Sequence, residues 1–128
     1  MNVLVDTCTF LWMADDAPEL SEQARLTVID PDNEVYLSAV SAWEIAIKHA
    51  LGKLPLPDPP GRFVPTQRTL LGLVPLPIEE EAGLAVGRLP TLHRDPFDRL
   101  LICQALTHGL VLVSPDPLIQ QYPVRTLW

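Results

Sequence analysis

Asp95 and Asp98 place two carboxylates three residues apart, at the head of a run whose Phe97, Leu100, Leu101, Ala105 and Leu106 recur at helical spacing. Two readings of that pair stand. In one, Asp95 caps a helix and Pro96 takes its first position, where a missing N–H costs nothing. Asp98 then complements the positive end of the helix dipole. In the other, one or both acids hold a metal ion. The choice turns on whether other carboxylates meet them. Asp6 closes the apolar run Val3-Leu4-Val5, just ahead of a helical stretch, and Asp116 follows Leu110–Val113 in the same order of strand, carboxylate and helix. Glu44 is flanked by Ala42, Trp43, Ile45, Ala46 and Ile47. A carboxylate in so apolar a neighbourhood is paired or bound to a cation. The bland alternative is an exposed i,i+4 pair with Lys48, worth about 0.2–0.5 kcal/mol.

The elements that must position these acids alternate. Asn2–Val5 reads as a buried strand, and the helix after it carries Phe10, Leu11, Met13 and Ala14. Ser21 caps a second helix from Glu22 to about Val28, which Pro31 ends. A strand over Glu34–Ser38 leads into a helix from Ala39 to Leu51, closed by Gly52. Leu54–Gly61, with four prolines, is a stiff linker. A helix is expected over Phe63–Leu71, with Pro65 tolerable only near its start. A short strand at Leu73–Leu76 and a helix over Ile78–Leu89, led by Glu79, Glu80 and Glu81, come next. The Asp95 helix runs to His108-Gly109. Leu110–Val113 is a strand, a short helix reaches Tyr122, and Val124–Thr126 closes the chain as a strand. Strands alternating with helices predict an α/β fold, a mostly parallel sheet of four to five strands with helices on both faces. In such a sheet ligands bind off the carboxyl ends of the strands. That edge gathers Asp6 and Asp116; the helix beginning at Asp95 feeds it, and Glu44 reaches it.

The 128 residues fit one domain spanning 1–128, and 48% hydrophobic residues suit a packed core. No apolar run approaches the ~20 residues that span a bilayer, so no membrane association is expected. The start, Met-Asn-Val-Leu-Val-Asp, lacks the basic opening of a secretory signal. Cys8 and Cys103 read as buried free thiols of a reducing compartment, which with the missing signal points to the cytoplasm. The net charge of −7 excludes a protein that coats nucleic acid by bulk electrostatics, and seven of the nine basic residues lie between Lys48 and Arg99. Any contact with phosphates therefore relies on local charge.

Several acids in one site repel, and burial together raises their pKa values; a cation reverses that. Oxygen ligands suit Mg²⁺ or Mn²⁺. Zinc does not fit, because His49, His93 and His108 are scattered and no Cys/His cluster exists. The chemistry such a site performs best is phosphodiester hydrolysis. No P-loop, dinucleotide glycine pattern or Ser-His-Asp arrangement competes, and an Asp-x-Asp phosphatase motif fails because position 8 is Cys.

Four segments in order, Val3-Leu4-Val5-Asp6-Thr7, Leu37 to Ile45, His93 to Leu101 and Leu112 to Asp116, make the chain resemble a PIN-domain ribonuclease, and more closely the VapC-type toxin of bacterial toxin–antitoxin pairs. The resemblance implies a PIN-like three-layer α/β/α sandwich and an acidic quartet of Asp6, Glu44, Asp98 and Asp116 as catalytic metal ligands. It makes Asp95 a capping or supporting acid. Ser114 matches a small hydroxyl residue that holds a carboxylate or water. It further implies Mg²⁺- or Mn²⁺-dependent endoribonuclease action on transfer or ribosomal RNA, a homodimer, and neutralisation by a VapB-type antitoxin. Leu11, Trp12 and Met13 are either core or the surface for that partner. Lys48, Lys53, Arg62, Arg68, Arg94 and Arg99 are the available phosphate partners. A PIN-like module that binds partners without turnover is the rival reading; the intact quartet separates the two.

Overall fold

A computed structural model describes residues 1–128. Five strands, β1 (Asn2–Val5), β2 (Glu34–Ser38), β3 (Val74–Leu76), β4 (Val111–Val113) and β5 (Thr126–Leu127), form one sheet in the order β3-β2-β1-β4-β5, and every pairing is parallel. Six helices flank it: α1 (Thr7–Asp15), α2 (Glu22–Ile29), α3 (Ala39–Ala50), α4 (Pro60–Leu70), α5 (Glu80–Ala85) and α6 (Pro96–His108). The all-parallel order sharpens the expected mostly parallel sheet.

Side-chain alternation along the strands divides the core. Val3 and Val5 of β1, with Val111 and Val113 of β4, enter one cluster with Phe10, Leu20, Ile45, Phe63 and Val64. Leu4 and Leu112 point to the opposite face, where Leu100, Leu101, Ile102 and Ala105 of α6 cover them with Ile119 and Tyr122. Both faces of β1 are therefore dry, which is why the strand reads as an unbroken apolar run instead of alternating. Parallel strands need crossover connections, and the chain supplies two helices at each of the first three, whereas the β4-to-β5 crossover carries only a 3₁₀ turn.

The strand register fixes the functional edge. Val5 pairs with Leu37 on one side and Val113 on the other. Asp6, Ser38 and Ser114 therefore follow the Val5, Leu37 and Val113 row at one level, Ser38 still pairing with Leu76 of β3, and Asp6 N–H still donates to the Val113 carbonyl at 3.2 Å. From β1 the chain builds outward to β2 and β3, and later to β4 and β5 on the other side. The crevice beside β1 is thus the point where strand order reverses, the place open α/β sheets present ligands.

Capping follows the expected chemistry. Asp6, Ser21, Ser38 and Asp95 cap α1, α2, α3 and α6, and Gly109 at φ 65° closes α6 in the left-handed region. Boundaries differ where proline and glycine act. The α4 helix begins at Pro60 instead of Phe63, with Pro60 in the first-turn position that proline favours. Pro65 lies inside it. The carbonyl it leaves without an N–H belongs to Gly61, which is exposed and open to solvent. The expected helix over Ile78–Leu89 shrinks to α5 and a 3₁₀ turn at Val86–Arg88; Gly83 and Gly87 weaken helix propensity there. The segment before Tyr122 is a 3₁₀ turn, Ile119–Gln121, and the last strand lies at Thr126–Leu127, not Val124–Thr126. In this register Leu112 N–H donates to the Arg125 carbonyl and Ser114 N–H to the Leu127 carbonyl. No helix is long and apolar enough to cross a membrane.

Candidate active site

Asp6 is 3% exposed at the end of β1. Its Oδ1 accepts the Thr9 N–H at 2.9 Å and the Cys8 thiol at 3.3 Å. It is both the helix cap and an acid of the site: the two readings of this residue are not exclusive. Its second oxygen has no protein donor. Glu44, 5% exposed one turn into α3, is gripped on both sides. The Thr7 hydroxyl donates to Oε1 at 2.7 Å and in turn meets Ser41 Oγ at 2.9 Å, while Lys48 bonds Oε2. The i,i+4 pair with Lys48 exists, but it runs from a buried carboxylate to a half-exposed ammonium, not along an exposed face. Burial would lower the Lys48 pKa. The hydrogen bond and charge of Glu44, with the charges of Asp95 and Asp98, outweigh it and raise that pKa.

Asp98 lies in the first turn of α6. Burial pushes its carboxyl up to about 7, and the charges of Asp95, Asp6 and Glu44 push the same way, against a lowering contribution from His93. Acids from β1, α3 and α6 thus share one field. Asp95 caps α6 through Oδ1, which accepts from Phe97 N at 2.8 Å and Asp98 N at 3.2 Å. Asp116 joins from the loop after β4: its Oδ1 accepts from Leu118 N at 2.9 Å, and Oδ2 lies 2.8 Å from His93 Nε2. Ser114, fully buried, accepts the Asp116 N–H at 3.1 Å. It fixes the loop that carries the acid and does not touch the carboxylate.

His93 was not legible as a member of this site. His93 is 8% exposed, and Nε2 lies between Asp116 Oδ2 and Asp98 Oδ2, the latter at 3.1 Å. Ligand atoms of His93, Asp98 and Asp116 fall within 4.8 Å of one another. The histidines are indeed scattered in sequence, but only one of them has to reach the acids. The available signal was its position two residues before the cap, inside the same motif as Asp95 and Asp98. A second correction concerns Cys8. It is half-buried beside Asp6, not part of the apolar core, and burial and Asp6 push its thiol up, so it is an inert donor. Cys103 is buried as expected. A third concerns the basic residues. Arg99 spends its guanidinium on the carbonyls of Pro90 and Val86, each at 3.0 Å, and on the Tyr122 hydroxyl, and Lys48 is paired with Glu44. Lys53, Arg62 and Arg94 are exposed.

The donor set fits a hard divalent cation. It is oxygen-rich, it carries several like charges on three elements, and burial leaves Asp98 holding a proton more tightly than an ordinary carboxyl does. Of the four acids expected to form the site, Asp98 and Asp116 lie with His93 in one group of candidate ligand atoms, while Asp6 and Glu44 share the field of Asp98 without joining that group. Trp43 and Phe97, the residues before Glu44 and Asp98, meet edge-on with ring centroids 4.9 Å apart, and Trp43 is 50% exposed.

Comparisons with known proteins bear on the whole chain. The pattern of the PIN domain matches residues 3–124. Ribonuclease VapC16 of Mycobacterium tuberculosis is 43% identical over 63 residues, which make up 49% of this chain and 45% of that protein. The match therefore spans less than half the length of this relative. The crystal structure of DNA-bound VapBC from Salmonella typhimurium superposes with a TM-score of 0.68 at 17% identity, covering 99% of this chain and 97% of the other. VapBC2 from Rickettsia felis, bound to a DNA fragment from its promoter, gives 0.67 at 14% identity, covering 99% and 98%. At these identities the structural matches establish the fold.

Proposed function

The chain belongs to the PIN-domain family, and from that premise we propose that it is a metal-dependent endoribonuclease acting as the toxin of a toxin–antitoxin pair. The observation that carries the reading is the meeting of Asp98 and Asp116 beside His93, ligand atoms within 4.8 Å of one another at the switch point of the sheet, with Asp6 and Glu44 in the field of Asp98. The matched stretch of Ribonuclease VapC16 supports ribonucleolytic chemistry. In this reading Asp6, Glu44, Asp98 and Asp116 would hold Mg²⁺ or Mn²⁺, which when bound would supply Lewis-acid activation of water and charge stabilisation for phosphodiester hydrolysis. The protein groups hold the acids in place. Thr7 orients Glu44, the Thr9 and Leu118 amides fix one oxygen each of Asp6 and Asp116, and Ser114 sets the loop. Exposed Trp43 offers an unpaired base a face to stack on, which favours single-stranded regions of transfer or ribosomal RNA as substrate. Arg94 and Lys53 are exposed cations for its phosphates.

A VapB-type antitoxin is the proposed partner, supported by the VapBC complexes that share the fold. Leu11, Trp12 and Met13 all pack against the core, and the first two also line a groove of about 340 Å³ with Leu54, Leu56 and Phe63. A homodimer and a cytoplasmic setting complete the proposal. The test is cleavage of total RNA by purified protein. EDTA should stop it and Mg²⁺ or Mn²⁺ restore it, with RNA ends mapped by sequencing. Cleavage that survives chelation overturns the metal reading. Absence of cleavage by metal-loaded protein leaves the partner-binding module.

A further inference from the structure

We infer that His93 is a positioning residue, not a metal ligand: its Nε2–H clamps Asp98 and Asp116 together and so presets the site for a cation. The inference rests on the metal-site reading above and concerns how that site is held. Proximity alone argues for ligation, since Nε2 and the two carboxylates could hold a metal between them. The hydrogen bonds decide otherwise. Asp95 N–H donates to His93 Nδ1 at 3.2 Å. An Nδ1 that accepts carries no hydrogen, so the ring hydrogen sits on Nε2. Nε2 then donates to Asp116 Oδ2 at 2.8 Å and, in a forked arrangement, faces Asp98 Oδ2 at 3.1 Å. A metal on Nε2 would move the hydrogen to Nδ1, against the Asp95 N–H, and would set two donors face to face in a buried place.

The ring is not free to turn out of that arrangement. The His93 N–H donates to the Tyr122 hydroxyl at 2.8 Å, and that hydroxyl donates to the Pro90 carbonyl at 2.7 Å. Leu92 N and Arg99 also donate to it. The hydroxyl of a residue from the far end of the chain thus pins the backbone on which His93 sits. The clamp uses one oxygen of each acid, and Asp98 Oδ1 has no protein donor. Asp95 thereby acts twice. Its side chain caps α6, and its amide selects the tautomer of the histidine two residues before it.

The experiment uses the full-length protein, with Mn²⁺ and Mg²⁺ as probes. Long-range ¹H–¹⁵N spectra of the metal-free protein should show the His93 hydrogen on Nε2, and saturation with Mg²⁺ should leave it there. Pulsed electron paramagnetic resonance of the Mn²⁺ form should show no directly bonded ¹⁴N. His93→Gln, whose amide N–H reaches toward the same carboxylates, should keep Mn²⁺ and Mg²⁺ affinities within about threefold of the parent. His93→Leu should weaken both ions by a similar factor, on the order of 10-fold, the lower end of what losing a supporting contact to metal ligands costs. A hydrogen on Nδ1, strong ¹⁴N coupling to Mn²⁺, or a loss in His93→Leu confined to Mn²⁺ each overturns the inference. Failure of the parent to bind either ion instead refutes the metal reading, and the tautomer in the metal-free spectra still decides the clamp.

Discussion

Removing the Asp98 charge should stabilise the metal-free protein at alkaline pH while destroying its response to metal. Asp98 is the acid most burdened by its neighbours: its side chain is 18% exposed, and burial, Asp95, Asp6 and Glu44 together lift it from 3.8 to about 7. Because the folded-state value exceeds the unfolded one, the folded protein holds this proton more tightly. The associated stability is full below about pH 4 and is lost as pH rises through about 7. The interval corresponds to at most about 4 kcal/mol for the ionised form. Asp98→Asn removes that ionisation and keeps a group that meets His93. In EDTA at pH 5 the variant and parent should melt within a few degrees of each other. At pH 8 the variant should melt higher by roughly 10 °C, taking about 3 °C per kcal/mol for a chain of this size. Comparing the two proteins at each pH cancels the titration of groups that the substitution leaves in place. Mn²⁺ at pH 8 should raise the parent's melting temperature and leave the variant's unchanged. Parallel pH profiles in EDTA, or a variant less stable than the parent at pH 8, would refute the argument that these carboxylates burden one another.

Asp6→Asn should reduce RNA cleavage by at least 100-fold in an initial-rate assay while leaving the fold intact, since Asn caps a helix about as well as Asp; urea unfolding should show a change under about 1 kcal/mol. Asp95→Asn should be milder in cleavage than Asp98→Asn, and Asp95→Ala should further cost about 1 kcal/mol of stability by removing the α6 cap. The reverse order of damage would exchange the roles of the two acids. Tyr122→Phe should cost about 1–3 kcal/mol in urea unfolding, because the Leu92 and His93 amides and Arg99 lose their common acceptor. An unchanged midpoint would show that water replaces the hydroxyl freely.

What the sequence determines here is local and periodic. The strands β1 and β2, the caps Asp6, Ser21 and Asp95, the Gly109 stop and the parallel α/β class follow from residue types within a few positions of each other. The positions of Asp6, Asp95 and Asp116 are readable for the same reason, since each sits at an element boundary that its own neighbours define, whereas Glu44 lies in the middle of α3. Where boundaries slipped, at α4, α5 and β5, the residues concerned are prolines, glycines and a two-residue strand, whose state depends on solvent access and on a neighbouring strand. The tertiary structure decided what no spacing encodes. His93 and Asp116 lie 23 residues apart, yet their side chains meet at 2.8 Å because β4 lies beside β1 and α6 starts over the same edge. Ser38 and buried Gln104, 66 residues apart, meet at 2.5 Å, tying α6 to the end of β2. Glu44 reads from the sequence as either an exposed pair with Lys48 or a buried acid; the packing of α3 makes it a buried acid that keeps the Lys48 pair. Chain-distant polar groups can be assigned only once packing removes water from between them, because burial is what turns a nearby donor from an option into a requirement.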